Sequence, residues 1–193
     1  MIPVQTSRNQ TEEAFLDAAE RLLIDVGHAG VTTRSLAQAA DANQGLVHYY
    51  FGSMENLLAR VLERFTGRML ERQRAMYAAP GVPFVEKWRR AMRYLDADRE
   101  YQKVWYELNA LAWNRPELRE RVAHVNAEWR AVLRDAFADA HAALGIEMPL
   151  DALVSLVITF NEGIILERLA GIETGQEDLL AWIDGWLERR EAP

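Results

Sequence analysis

Apolar residues recur at spacings of three and four along almost the whole chain, and this period constrains the fold more than any other feature of the sequence. A helix places residues three and four apart on one face, whereas a half-buried strand alternates apolar and polar side chains. No segment shows that alternation together with an enrichment of β-branched residues. Clusters of proline and glycine, such as residues 79–83 and 171–175, separate the periodic segments. The sequence therefore predicts an all-α fold.

Composition narrows the class of protein. A chain of 193 residues, 50% of them hydrophobic, can bury a substantial core. It has no cysteine, which excludes disulfides, thiolate metal sites and cysteine nucleophiles. The longest apolar run, at about residues 150–166, is interrupted by polar side chains and is too short to cross a bilayer, and the first ten residues do not resemble an export signal. We therefore expect a cytoplasmic protein without a membrane partner.

The first 58 residues predict a helix-turn-helix arrangement. A first helix over residues 11–26 ends at Gly27, and Thr32 is a suitable N-cap for a short second helix over residues 33–40. Asp41 tolerates a left-handed conformation and can reverse the chain before a third helix over residues 44–50. Two short helices joined by a tight turn and supported by a longer first helix are typical of DNA-binding proteins that insert the second short helix into the major groove.

Side chains around this turn suit the reading of DNA. Arg34 can form two hydrogen bonds with a guanine edge, and Gln44 can form two with adenine. Gly45 has no side chain and allows close approach of the backbone. Asn43 is equally consistent with a cap of the third helix and with a DNA contact. Of the aromatic run at residues 49–51, Tyr49 can reach a phosphate, whereas the other two rings are expected to anchor the third helix to the first and fourth helices.

Three segments of this region, TTRSLA at residues 32–37, NQGLVHYYF at 43–51 and GSMENLL at 52–58, resemble the TetR (tetracycline-repressor) family of bacterial transcriptional regulators. The resemblance extends over roughly residues 10–60. It implies a homodimer of about nine helices per chain, with an N-terminal helix-turn-helix DNA-binding domain at residues 1–58. The C-terminal helical domain, residues 59–193, would bind a ligand and form the dimer.

The same resemblance implies which residues contact DNA. Together with Asn43, the predicted set is Thr33, Arg34, Gln44, Gly45, Leu46, His48 and Tyr49. Many relatives carry glycine where this chain has Asp41, and lysine where it has Gln44 and Met54. Residues 1–58 contain three arginines and seven acidic residues, a net charge of −4, so we expect weak non-specific binding to DNA.

The C-terminal part contains all six tryptophans and is expected to form helices at about residues 84–98, 99–113, 117–144, 150–170 and 176–190. Aromatic walls with a few polar groups are typical of ligand pockets, although a core has the same composition. The candidate ligand-binding residues are Trp105, Asn109, Trp113, Asn161 and Glu162. Apolar residues at helical spacing in residues 179–187 could pair with the helix at residues 153–169 in a four-helix dimer interface.

These observations predict a dimeric, sequence-specific DNA-binding transcriptional regulator, more often a repressor, that a small effector of apolar character releases from a near-palindromic operator. No catalytic residue, metal site or cofactor is expected. One alternative is a helical ligand-binding or scaffolding dimer that no longer binds DNA, which the acidic N-terminal domain favours. The other is a helical-bundle enzyme. His124 and Glu128 lie one turn apart and could share a metal, but the Glu-x-x-His pairs of di-metal oxidases and the usual hydrolase and nucleotide motifs do not occur.

Overall fold

The structure, a computed structural model, describes the backbone of residues 4–192 and the side chains from residue 9 to 192. Over these residues the chain forms nine α-helices and no strand, which confirms the all-α prediction. The helices are α1 (Val4–Val26), α2 (Thr33–Ala39), α3 (Gly45–Phe51), α4 (Met54–Tyr77), α5 (Phe84–Ala97), α6 (Arg99–Ala112), α7 (Pro116–Ala143), α8 (Leu150–Leu169) and α9 (Gln176–Glu191).

Most helix ends lie within one residue of the predicted positions, with two exceptions. Helix α1 begins at Val4, seven residues earlier than the sequence predicts, because residues 4–10 contain neither glycine nor proline to stop it. The second difference is a 3-10 turn, His28–Gly30, that the sequence does not predict. Gly27 begins this turn in the left-handed region with φ 73°, a conformation that glycine adopts without strain.

The chain divides into two compact units, and the first comprises residues 1–67 and 100–125. It contains α1, α2, α3 and α6, together with the beginnings of α4 and α7. Its hydrophobic core includes Phe15 of α1, Leu36 of α2, Val47 of α3, Leu57 of α4 and Leu108 of α6. Burial of these side chains, at about 1.5–3 kcal/mol each, is the main force that holds the short helices against α1.

The second unit comprises residues 68–99 and 126–193 and contains α5, α8 and α9 with the remainder of α4 and α7. Its core includes Trp88 of α5, Phe137 of α7, Val154 of α8 and Leu187 of α9. The carboxylate of Glu191, the last residue of α9, accepts hydrogen bonds from the N–H groups of the first two residues of α5, at 2.6 and 3.0 Å. This contact satisfies two backbone donors that a helix start leaves unpaired.

The described residues contain neither a helix that could span a membrane nor a cluster of metal-binding side chains. None of their helices has the combination of length and hydrophobicity that crossing a membrane requires. Within the same residues, no three His, Asp or Glu side chains lie close enough together to hold a metal ion.

Candidate DNA-binding site and C-terminal cavities

The start of α2 is set by a capping box. The Thr32 hydroxyl accepts the Ser35 N–H at 3.1 Å, and the Ser35 hydroxyl accepts the Thr32 N–H at 2.9 Å. The Ser35 hydroxyl also donates to the carbonyl of Gly30 at 2.7 Å, which ties the cap to the 3-10 turn. These bonds confirm Thr32 as the N-cap and place Thr33 and Arg34 in the first turn of α2.

A left-handed residue joins α2 to α3. Asp41 has φ 49° and is the only non-glycine residue with positive φ in the described part of the chain, as the sequence predicts. The N–H of Ala42 then reaches back to the carbonyl of Ala37 at 3.0 Å, which closes the end of α2. The Asn43 side chain accepts the N–H of Gly45 at 2.8 Å, so Asn43 caps the start of α3 in this structure.

The predicted DNA-binding residues lie on α2, on α3 and in the turn between them, and five of them, Thr33, Arg34, Gln44, His48 and Tyr49, are here called the polar edge. Thr33 of α2 and Gln44 at the start of α3 are joined by a hydrogen bond of 2.8 Å, in which the Gln44 amide Nε2 donates to the Thr33 hydroxyl. The exposed residues of this set are Arg34, Asn43, Gln44, Gly45, His48 and Tyr49, and Thr33 and Leu46 are half-buried. The His48 ring donates through Nδ1 to the carbonyl of Gly52 at 3.2 Å, because a carbonyl can only accept. In the neutral ring this leaves Nε2 as an acceptor.

The aromatic run of α3 is divided between the surface and the core. Tyr49 is 63% exposed, whereas Phe51 is buried. Tyr50 and Phe51 pack on Phe15 of α1 with ring centroids 6.3 and 6.2 Å apart, and Arg60 of α4 lies over the Phe51 ring. The prediction that the last two rings anchor α3 while Tyr49 faces outward is confirmed.

Helix α6 holds the end of α1. The ammonium group of Lys103 donates to the carbonyl of Ile24, and the carboxylate of Glu107 accepts the N–H of His28 at 2.6 Å. Gly27 has a positive φ, and a Cβ there would lie 2.8 Å from an oxygen at the end of the Glu107 side chain, so a larger residue would have to displace this carboxylate from its hydrogen bond. Sequence reasoning did not find this contact, because its partners are 79 residues apart.

Arginines of α4 neutralise acidic residues of α1. Arg64 pairs with Glu13, Asp17 and Glu20 at 3.1, 2.8 and 2.7 Å, and Arg60 pairs with Glu12. Both arginines follow residue 58, so the charge count of residues 1–58 omits them. Four of the seven acidic residues in that count, all of them on α1, are therefore paired with arginines of α4.

The three predicted ligand-binding residues of the α6 region have different environments in the first unit. Trp105 is buried in its core, and the side-chain amide of Asn109 donates to the Trp105 carbonyl at 2.8 Å. Trp113 follows the last residue of α6 and is 79% exposed. Helical spacing predicts that Trp113 shares a face with Trp105, but the helix ends before it.

Asn161 and Glu162 lie on α8 in the second unit. Asn161 is only 7% exposed, and its carbonyl oxygen Oδ1 has no hydrogen-bond partner within the part of the chain that the structure describes. A buried acceptor left in this state costs about 1–3 kcal/mol. Burial raises the pKa of Glu162 above its usual value, against the opposing effect of the positive charge of Arg130.

An apolar cavity of about 450 Å³ that is partly open to solvent lies in the second unit, lined by α5, α7, α8, α9 and the loop before α8. Its lining residues are Phe84, Trp88, Phe137, Ala140, His141, Ile146, Met148, Leu153, Leu156, Val157, Phe160, Leu179, Trp182, Ile183, Trp186 and Leu187. Only His141 among them is titratable, and its Nε2 donates to the carbonyl of Met148 at 2.7 Å. Trp88 is buried, and its indole N–H has no partner among the described residues.

A second cavity in this unit, of about 490 Å³, is lined by α4, α5 and α7 and contains charges of both signs, from Arg74, Lys87, Asp135 and Asp139. The Lys87 ammonium donates to the carbonyl of Tyr77 at 2.6 Å, which occupies part of its hydrogen-bonding capacity. None of the five predicted ligand-binding residues lines either of these two cavities.

Helices α8 and α9 expose large apolar side chains. The exposed residues are Leu156, Leu166 and Leu169 of α8, Ile172 after it, and Leu179 and Trp182 of α9. Trp182 is 62% exposed. Exposed apolar side chains that form one contiguous surface are typical of interaction sites.

Two protein-family models match the chain. The model for bacterial regulatory proteins of the tetR family matches residues 15–61, which contain α2, the turn and α3. The model for a tetracyclin repressor-like C-terminal domain matches residues 80–189, more than half of the chain. The chain belongs to the TetR family. The family is one of transcriptional regulators, which agrees with the function predicted from the sequence.

Known proteins resemble this TetR-family chain over different lengths. The HTH-type transcriptional regulator BetI of Rhizobium meliloti (strain 1021) is 34% identical over 71 residues, which are 37% of this chain and about a third (35%) of that protein. Among solved structures, one is that of Streptomyces coelicolor A3(2) SCO7518, which is named as a putative transcriptional regulator. It is 26% identical to this chain with a TM-score of 0.69, and the match covers 92% of this chain and 98% of SCO7518. Another is that of a Rhodococcus sp. protein named as a putative TetR-family transcriptional regulator. It has a TM-score of 0.73 at 23% identity, and the match covers 93% of this chain and 99% of the Rhodococcus protein.

Proposed function

We propose that this TetR-family chain is a homodimeric repressor that binds a near-palindromic operator in the cytoplasm and is released from it by a small effector. The observation that carries the proposal is the polar edge formed by Thr33, Arg34, Gln44, His48 and Tyr49 over a capped helix-turn-helix. These side chains are exposed or half-buried, while the apolar residues of the same two helices are buried beneath them. In a dimer, two α3 helices would enter successive major grooves about one helical turn apart.

Seven of the eight predicted DNA-binding residues, all except Thr33, have a proposed direct role. Arg34 would bond a guanine edge and Gln44 an adenine edge, at about 1–3 kcal/mol of discrimination for each good pair. Gly45 and Leu46 would bring the start of α3 close to the bases, and His48 would contribute its free ring nitrogen. Tyr49 would donate to a phosphate. Asn43 caps α3 through Oδ1, and its amide N–H groups would remain for the DNA backbone.

The dimer would form through the exposed apolar residues of α8 and α9. Two-fold dimers place the same surface of both copies together, so one apolar face suffices for both partners. Leu166, Leu169 and Trp182 have large exposed areas that such a contact would remove from water. Sedimentation at micromolar concentration tests this step, and a clean monomer mass would contradict it.

We propose Asn161 and Glu162 of the second unit as effector-binding residues, and, separately, Trp105, Asn109 and Trp113 of the first unit. Support is strongest for Asn161, because a donor on a bound ligand would satisfy its buried, unpaired oxygen. Effector binding must favour the dimer state that no longer fits the operator, since a ligand shifts an equilibrium only by its preference for one state. Footprints on the operator with and without fractions of a cell extract would detect the switch, and loss of the response in Asn161→Leu would support the site.

The primary experiment is selection of tight binders from a randomised duplex pool with the full chain at physiological salt. We expect a palindrome, with specific base preferences lost in Arg34→Ala and in Gln44→Ala. Arg93→Ala, which removes an exposed arginine in the second unit, is the matched control and should leave the preferences unchanged. No enrichment by a folded dimer would favour a helical ligand-binding or scaffolding dimer instead.

A further inference from the structure

The apolar cavity of the second unit has a buried floor and an exposed rim. Trp88, Phe137 and Val157 at the floor are buried. On the rim, Leu156 of α8 is 53% exposed and Trp182 of α9 is 62% exposed. The cavity therefore opens where two of the side chains proposed for the dimer face are found.

We propose that this cavity binds an uncharged, apolar small molecule and that a second copy of the chain forms its outer wall. The inference rests on the proposed homodimer, and it adds a site that none of the predicted ligand-binding residues lines. Leu156 and Trp182 would then serve both the ligand and the partner.

A second copy of the chain, and not the ligand alone, would cover the rim, because exposed apolar residues of α8 continue beyond the cavity. Leu166 and Leu169 of α8 are exposed without lining the cavity, so a ligand alone would leave them in water. Thr159 and Gly163, also exposed on α8, are small enough to let another helix approach closely. Helices α8 and α9 have 20 and 16 residues and are about 30 and 24 Å long. A face made of both helices has an area on the order of 800 Å², which is what one partner contributes to a stable interface.

The lining defines the chemistry of the ligand. It includes no Asp, Glu, Lys or Arg side chain, so a charged molecule would lose its hydration without gaining a partner. The ring of His141 is already bonded to the carbonyl of Met148. A volume of about 450 Å³ lies in the range of small-molecule pockets, which usually enclose most of the ligand surface. In a single copy the rim stays open to water, so the ligand would be enclosed only in the dimer.

Binding and dimerisation are therefore linked. A ligand that needs the partner wall must strengthen the dimer by the same factor by which the dimer strengthens ligand binding. The neutral fluorescent probe N-phenyl-1-naphthylamine and its charged relative 1-anilinonaphthalene-8-sulfonate form a matched pair for the test. Both carry two aromatic ring systems, and they differ mainly in the sulfonate.

The experiment measures the affinity for both probes and the monomer–dimer equilibrium of the full chain. Leu166→Arg/Leu169→Arg should be monomeric, because it places charges on the dimer face outside the cavity. Ala138→Arg adds a charge at an exposed position of α7 that lines neither cavity and should remain dimeric. Ala140→Phe should partly fill the apolar cavity and keep the dimer. Ala140 also lines the second cavity, but the charged groups there make that cavity a poor site for a neutral probe. Circular dichroism and thermal unfolding confirm that each variant is folded.

We expect the neutral probe to bind the wild-type dimer and Ala138→Arg equally well. It should bind the monomeric variant and Ala140→Phe about tenfold more weakly. In the wild type it should strengthen the dimer by the same factor by which the dimer strengthens its binding. The sulfonate should bind poorly to all of them. Equal binding of the neutral probe by the folded monomer would overturn the inference, since the cavity would then be complete in one chain. A dimer that excludes the probe would also overturn it, because the partner's side chains would fill the cavity. A wild-type chain that stays monomeric refutes the proposed dimer itself, whereas failure of the operator selection leaves this result unaffected.

Discussion

The side-chain amide of Gln44 donates to the hydroxyl of Thr33 across 2.8 Å and joins the first turn of α2 to the start of α3. Bidentate reading of adenine requires that the amide present its oxygen and one N–H to the base in a single plane. The bond to Thr33 uses the second N–H of Nε2 and leaves both of these groups available. In the proposed regulator Thr33 therefore positions Gln44, in addition to any contact of its own with DNA.

Thr33→Val should weaken the preference for adenine at the base pair that Gln44 reads, by about 1 kcal/mol, because valine keeps the shape but cannot accept the amide proton. Thr33→Ser retains the hydroxyl and should restore the preference. Competition binding with operators that differ at that base pair measures the change. In a Gln44→Ala background Thr33→Val should have no further effect on this preference, and a preserved effect there would contradict the positioning role.

Gly27→Ala should destabilise the chain for two separable reasons. Gly27 has φ 73° and ψ 178°, a conformation that residues with a Cβ almost never adopt, so alanine is strained there by about 1–3 kcal/mol. The new Cβ would also displace the Glu107 carboxylate that accepts the His28 N–H. In a Glu107→Ala background only the strain remains, so urea unfolding should show Gly27→Ala to cost about 1 kcal/mol less there than in the wild type. Equal losses in the two backgrounds would mean that the Glu107 contact contributes nothing measurable.

Arg64→Met should reduce the free energy of unfolding by about 1–2 kcal/mol at low salt, because it leaves three carboxylates of α1 without their shared cation. Methionine keeps much of the aliphatic stem that packs between the helices. The loss should shrink in 1 M NaCl, where the Debye length is about 3 Å. A loss that salt does not change would assign the effect of Arg64 to packing.

Glu162→Gln should stabilise the chain near neutral pH but not in acid. The pKa of Glu162 is raised by burial, so its contribution favours the folded state below the unfolded pKa and is lost as the pH rises through the folded value. Glutamine removes this dependence. Urea titrations of wild type and variant should therefore diverge above about pH 5 and converge below about pH 4. Glu147→Gln, at an exposed position of the same unit, removes one carboxylate in the same way and is the control for the change in net charge.

Local sequence determined the helices and the turn. The capping box at Thr32 and Ser35, the left-handed Asp41 and the glycine after α1 act through bonds within five residues, so the residue types alone define them. The TetR resemblance depends on the same short segment, which is why the fold and family could be predicted. The boundary at residue 58 stays a prediction, because the first compact unit also takes in α6 and the beginning of α7.

Tertiary structure alone decided which side chains meet across the sequence. Helical spacing treats Trp105 and Trp113 alike, yet the end of α6 leaves one in the core and the other in solvent. Glu107 reaches His28 over 79 residues, and the apolar cavity draws its lining from four helices and the loop before α8. Periodicity shows which face of a helix is apolar, but it does not show which other face covers it. That choice follows from how all the helices pack together, and no local pattern encodes it.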